Sequence, residues 1–218
     1  MKHKRIDKFI PDMQDFESAY RDFADKINSF DAGGEYSNFN SFIKRGAAES
    51  AKAGDGTSFI IWNIIKDSNG NEIDRDMVAF YTISANAIPY ESRIRLEPDE
   101  AEKLGAEFDS KLCGIPALEL LMFAVNKKYQ DTFYDFEGID LPVSVWALAV
   151  IIKHARVLIK SIISFKVIFL HALPEVEQFY LKNGFTEIEE NMKPFYSADS
   201  EFKPMYFIVK EIHMCYDD

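Results

Sequence analysis

A chain of 218 residues, 47% apolar and 28% charged, has enough of both for a packed core and a solvated surface, which excludes disordered, collagen-like and low-complexity architectures. Its 25 Lys and Arg against 36 Asp and Glu leave a net charge of −11, a field that repels nucleic acid and favours cationic substrates or partners. Cys113 and Cys215 lie far apart and outside any C-x-x-C spacing, so they point to reduced thiols and to neither a disulfide framework nor a metal site. The opening MKHKRIDKFI lacks the apolar stretch of a signal peptide. Lys153, His154 and Arg156 break the most apolar run, Val145 to Ile152, well short of the roughly 20 residues a bilayer span needs. A cytoplasmic protein is expected, with no membrane partner.

From Asp12 to Phe30, apolar residues recur at Met13, Phe16, Ala19, Tyr20, Phe23, Ala24 and Ile27, a three-four spacing that predicts an amphipathic helix. A second helix is predicted from Ser37 to Lys52, with Phe39, Phe42, Ile43 and Ala47 inward and the Gly54 to Gly56 segment closing it. Thr57 to Lys66 is rich in β-branched and aromatic residues and reads as a strand buried on both faces. Asp67 to Gly70 forms a hairpin turn into an antiparallel partner, Asp76 to Ile88. Residues 89–116 are charged and irregular, with a short helix near Pro98 to Leu104, and Ala117 to Val125 is another buried strand.

Asn126 to Val143 reads as a long acidic loop, after which Ser144 is placed to cap a helix running to Ile163. A strand at Lys166 to His171, a helix from Pro174 to Lys182 stopped by Asn183 and Gly184, and strands at Phe185 to Glu189 and Lys203 to Glu211 complete the order. A hairpin in the first half and a β-α-β crossover in the second make an α/β domain.

Three segments resemble the GCN5-related N-acetyltransferase (GNAT) superfamily: the hairpin strand Phe80 to Ser84, the strand Leu120 to Gln130, and the strand-helix-turn Phe169 to Phe185 with its FY-x-x-x-GF run. Phe30 to Ala47 is similar to the opening of a GNAT branch that includes aminoacyl-tRNA-acetylating toxins. The resemblance covers residues 30–211. It implies a mixed, mostly antiparallel sheet with splayed central parallel strands flanked by helices. Residues 1–29 would be a helical extension of a GNAT-like domain at 30–218.

The resemblance also implies the chemistry, with acetyl-CoA as co-substrate. Phe123, Ala124 and Val125 would offer backbone groups to its pantetheine arm; the alternative is a plain core strand. Tyr180 would protonate the departing CoA thiolate, with Phe179 packed beneath the cofactor, although a tyrosine at helical spacing from Val176 is also ordinary packing. Glu119 would be the general base, its carboxyl pKa raised by burial; the alternative is a structural strand carboxylate. Gln130 stands where the family's glycine-rich pyrophosphate motif begins, but Asp131, Asp135, Glu137 and Asp140 follow and only Gly138 is glycine. Either this acidic segment points outward and the first amides of the next helix, at Ser144 and Val145, hold the phosphates, or the cofactor site has decayed. His154 and His171 have no carboxylate at ligand spacing and read as structural or surface residues.

The expected function is an N-acetyltransferase acting by direct attack of a primary amine of a cationic small molecule or protein. A GNAT-fold binding module without catalysis and a tRNA-acetylating toxin are the alternatives. Among partners, nucleic acid is not expected, and the sequence leaves a homodimer open without deciding the oligomeric state.

Overall fold

The computed structural model describes residues 4–6, 10–95, 98–99, 103, 108–189, 192 and 201–209. They form two compact units, each built from two stretches of chain: Met1–Ser84 with Leu120–Val157, and Ala85–Glu119 with Leu158–Asp218. Ten strands are described: β1 (Lys4–Ile6), β2 (Pro11–Asp15), β3 (Thr57–Lys66), β4 (Glu72–Arg95), β5 (Phe108–Val125), β6 (Thr132–Phe136), β7 (Ile139–Pro142), β8 (Val167–Ala172), β9 (Thr186–Glu187) and β10 (Lys203–Ile208). The helices are α1 (Phe16–Asn28), α2 (Ser37–Ser41), α3 (Ala47–Ala53), α4 (Lys127–Gln130), α5 (Val143–Ser161) and α6 (Glu177–Lys182). A π-helical stretch, Phe42–Gly46, joins α2 to α3, so the predicted second helix is continuous in path.

In the first unit the strands hydrogen-bond in the order β2-β3-β4-β5. The predicted helix at 12–30 is corrected at its start. Residues 11–15 are extended and pair antiparallel with β3, Pro11 opposite Asn63 through Asp15 opposite Phe59. Helix α1 begins only after Asp15, whose Oδ1 accepts the Ser18 N–H at 3.0 Å and satisfies a first-turn donor. Its apolar face joins Phe30, Ile43, Ala47, Ile60, Trp62, Met77 and Phe80 in one core. Phe80 is the hub, with the rings of Phe30, Phe42 and Phe39 at 5.3, 6.2 and 6.5 Å. Burying a ring of this size stabilises by about 1.5–3 kcal/mol.

The segment 126–143 is also corrected: it is α4 followed by the hairpin β6-β7, and β1 adds to β6 in parallel, Lys4 opposite Thr132. Glu137 (φ 52) and Gly138 (φ 85) both take the left-handed conformation that a two-residue hairpin turn requires. Asp135 Oδ1 accepts the Gly138 N–H at 2.8 Å. Helix α5 already begins at Val143, so Ser144 lies within its first turn and not before it.

In the second unit β8 pairs in parallel with β5, Ala117 opposite Val167 and Glu119 opposite Phe169, and antiparallel with β10, which carries β9 on its other side. The parallel ladder stops at Glu119 and Phe169. Beyond Glu119, β5 passes into the first unit, where it ends at Val125. The strand pairing is mixed and mostly antiparallel. Ile88, Ala117, Val167, Phe169 and Tyr206 form the core on one face. On β10 the side chain of Phe207 alternates to the other face from Tyr206, where it meets Phe185 at 5.3 Å.

The predicted helix at 98–104 lies largely outside the described residues, as do Cys215 and the end of the last predicted strand. Among the described residues no helix is long and apolar enough to cross a membrane, and no group of His, Cys, Asp and Glu is arranged to hold a metal ion.

Candidate active site

Tyr180 is delivered by local chain stiffness. Pro174 opens a 3-10 turn into α6, and Gly184, at φ 86, ends the helix, with Asn183 and Phe185 amides returning to the Tyr180 carbonyl at 3.0 and 3.1 Å. The ring lies edge-on to Phe179 at 5.2 Å and to Phe185 at 5.3 Å. Only 8% of the residue is exposed, and burial pushes the phenol pKa well above its ordinary value. Among the described residues the Tyr180 hydroxyl has no hydrogen-bonding partner, and the one sealed side-chain N or O atom left without a partner is Trp62 Nε1. The hydroxyl therefore stays protonated at neutral pH, as a general acid must before it acts.

Glu119 sits in the second unit on the face of β5 that carries Ala117. It is 6% exposed. Its Oε2 accepts from Asn86 Nδ2 on β4 at 2.5 Å, and its Oε1 stands 3.7 Å from His171 Nδ1 on β8. Burial pushes the carboxyl pKa up, but the nearby His171 imidazole and the Asn86 amide together outweigh it, and the net direction is downward. The expectation of a raised pKa is overturned because the carboxylate is paired as well as buried. The sequence reading missed Asn86 and His171 as its neighbours: both lie more than thirty residues away along the chain and are brought together by strand pairing. The His171 ring also meets Phe169 at 4.8 Å, edge to face.

In the first unit Phe123 is half-buried, while Ala124 and Val125 are buried. The strand is held at its end: the Asn126 N–H donates to the Val78 carbonyl at 2.8 Å, and Gln130 Nε2 donates to the Val125 carbonyl at 3.1 Å and to Ala32 O at 2.9 Å. Gln130 is thus a clasp between the end of β5 and the Asp31–Gly33 turn, where the Lys127 N–H also reaches Asp31 O at 2.7 Å. Ser144 and Val145 are half-buried in the first turn of α5, and Asp131, Glu137 and Asp140 are exposed. His154, on α5, accepts its expected structural place: its Nδ1 meets the Tyr81 hydroxyl at 2.6 Å and its ring meets Phe59 at 4.6 Å.

No family model matches the chain and no curated protein matches it by sequence. Solved structures do match in shape. A bacterial toxin superposes with a TM-score of 0.57 at 17% identity, over 93% of this chain and 92% of its own. AtaTR bound with acetyl-CoA gives 0.56 at 16%, covering 94% and 95%. AtaT complexed with acetyl-methionyl-tRNAfMet gives 0.54 at 15%, covering 91% and 95%. At such identities the likeness speaks for the fold alone, which is GNAT-like. The AtaT complex holds a tRNA derivative, so the fold by itself does not count against nucleic acid, which is not expected from the charge.

Proposed function

We propose that the chain is an acetyl-CoA-dependent N-acetyltransferase, acting in the cytoplasm, in which a primary amine of a cationic small molecule or protein attacks the thioester directly. The observation that supports this reading is Tyr180, a buried, protonated hydroxyl without a partner among the described residues, on the residue to which the sequence resemblance gives the role of general acid. The acetyl-CoA held by a structural neighbour supports the choice of co-substrate. Phe123, Ala124 and Val125 would flank the pantetheine, Phe179 would pack against the cofactor, and Ser144 and Val145 would bring first-turn amides of α5 to the phosphates. The exposure of Asp131, Glu137 and Asp140 on their own hairpin favours the outward-pointing account of the acidic segment over a decayed site. Gln130 would support the site from behind, as a clasp.

Acetyl-CoA titration tests this. A ligand that binds only the native state adds about 2.7 kcal/mol at a hundredfold excess over Kd, so a saturable rise of several degrees in Tm is expected. No shift at millimolar acetyl-CoA would sink the enzyme and leave the non-catalytic binding module. A second reading, acetylation of an aminoacyl-tRNA, is favoured by the AtaT complex and by the Phe30 to Ala47 segment. It predicts that expression arrests growth, that Tyr180→Phe relieves the arrest, and that methionyl-tRNA is acetylated in preference to spermidine.

A further inference from the structure

We infer that Gln130 sets the register of the extended arm of acetyl-CoA: its side chain covers the last outward carbonyl of β5 and offers its own Oε1 to an amide N–H of the ligand in that carbonyl's place. This rests on the acetyltransferase reading and names a positioning residue within it.

The direction of the covered carbonyl follows from one peptide unit. The Val125 C=O and the Asn126 N–H share a planar trans peptide and point opposite ways. The Asn126 N–H goes to the Val78 carbonyl on β4 at 2.8 Å, so the Val125 C=O faces away from β4. With β4 on one edge of β5, a ligand lying along Phe123 to Val125 takes the other edge. There Gln130 Nε2 already holds the Val125 carbonyl at 3.1 Å.

Two carbonyls fix the orientation of the Gln130 amide. Its Nε2 gives one proton to Val125 O and the other to Ala32 O, at 2.9 Å. The flipped amide would set Oε1 against both carbonyl oxygens. Oε1 is therefore the group left over. Gln130 is exposed, and among the described residues its Oε1 has no hydrogen-bonding partner. An acceptor so placed reads a donor, which each amide nitrogen of a pantetheine arm supplies.

The Ala32 side of the clasp is itself locked. Asn40 Oδ1 accepts the Ala32 N–H at 2.7 Å, and Asn40 Nδ2 donates to Asp31 Oδ1 at 3.2 Å. The same Asp31 oxygen accepts the Gly33 N–H at 2.8 Å, and Asp31 O accepts the Lys127 N–H at 2.7 Å. Gly33 takes φ 103, the left-handed side that glycine tolerates. Ala32 is buried, with 2% exposed. The Gln130 side chain thus has one pose before a ligand arrives, and binding spends little entropy on ordering it.

Thermal-shift titrations with acetyl-CoA and with acetyl-pantetheine, which lacks the nucleotide and its phosphates, test this on the full chain. Gln130→Met keeps the side-chain length and removes both donors and the acceptor. It should raise the Kd of both ligands and the KM for acetyl-CoA about tenfold, as the loss of one or two hydrogen bonds does, with kcat changed less than about twofold. Asn40→Ala, which leaves Gln130 in place but unlocks Ala32, should raise both Kd values about threefold. Binding of acetyl-pantetheine by folded Gln130→Met at the wild-type Kd overturns the inference. So does a loss confined to acetyl-CoA, which would put the contact at the phosphates. Side-chain amide spectra cover the case of a variant that does not fold: in the unmodified chain the Gln130 amide signals should move as acetyl-pantetheine saturates, and signals that stay in place overturn the inference. An unmodified chain that binds neither ligand at millimolar concentration fails the acetyltransferase reading, whereas one that binds both without involving Gln130 fails the inference alone.

Discussion

Tyr81 in the first unit and Tyr180 in the second are both buried phenols whose ionisation burial pushes upward, yet their hydroxyls have opposite fates. Tyr81 meets His154 Nδ1 at 2.6 Å and Met13 Sδ at 2.8 Å, and its ring stacks on Phe59 at 5.3 Å. Tyr180 meets the rings of Phe179 and Phe185, and among the described residues its hydroxyl has no hydrogen-bonding partner. A hydroxyl with partners on both sides holds a core together, and one without a protein partner is available to a ligand. The two histidines differ in the same way: His154 meets the Tyr81 phenol within the packing, whereas His171 stands 3.7 Å from the Glu119 carboxylate.

The largest effect that sharpens this contrast is on turnover. Tyr180→Phe should lower kcat at least a hundredfold, the range of a lost general acid, with Tm close to wild type; an unchanged kcat would end the assignment. Tyr81→Phe should do the reverse, costing about 1–2 kcal/mol in urea unfolding because His154 loses its partner, while kcat per folded molecule stays at the wild-type level. Stability unmoved by that change would mean the two hydroxyls do not differ as argued.

A smaller loss, about 1 kcal/mol, is expected from Gly184→Ala, which forces a side chain to φ 86 and brings a Cβ to 3.3 Å from Phe207 Cε2. If the helix stop fixes Tyr180, this variant should also lose activity, measured alongside its unfolding curve. The smallest effect is a pH slope. Burial lowers the His154 pKa from 6.5, so the unfolded chain binds the proton first and stability falls as pH drops through that value. His154→Asn should show a shallower fall in Tm between pH 7 and pH 5. Glu119 does not interfere in that window: its pKa is lowered from 4.5, so its contribution is present above that value and is lost only at lower pH.

Much of the fold could be read from residues alone where local signals agree. Thr57 to Lys66 is β3 to the residue, because a β-branched run ends at a turn whose Asp67 accepts the Asn69 and Asn71 amides. Other stretches were decided by distant partners. Glu72 to Arg75 looks like turn sequence, yet it is strand because β3 pairs with it. Met13 fits a helical period as well as a strand, and the Asp15 cap is what separates them. The acidic segment 126–143 drew attention to its charges, while its Glu-Gly turn and the flanking Thr132 to Phe136 carried the hairpin signal. For the site, the FY-x-x-x-GF run was enough to single out Tyr180. The grouping of Glu119 with His171 and Asn86 was not legible, since three strands must pair before those side chains meet.

The way the units are cut from the chain bears on how the protein comes into being at the ribosome. The first unit needs Leu120–Val157 to finish what Met1–Ser84 begins, and the second interleaves Ala85–Glu119 with the last third of the chain. The β3-β4 hairpin can form early, being closed by a short turn, but β2 must wait for β3 and β5 must wait for β8. Each half-built unit therefore exposes apolar strands until the later stretch emerges. Synthesis of this chain should be unusually dependent on holdase chaperones, and stalling it near residue 119 should yield a protease-sensitive nascent chain even though more than half of its residues have been made.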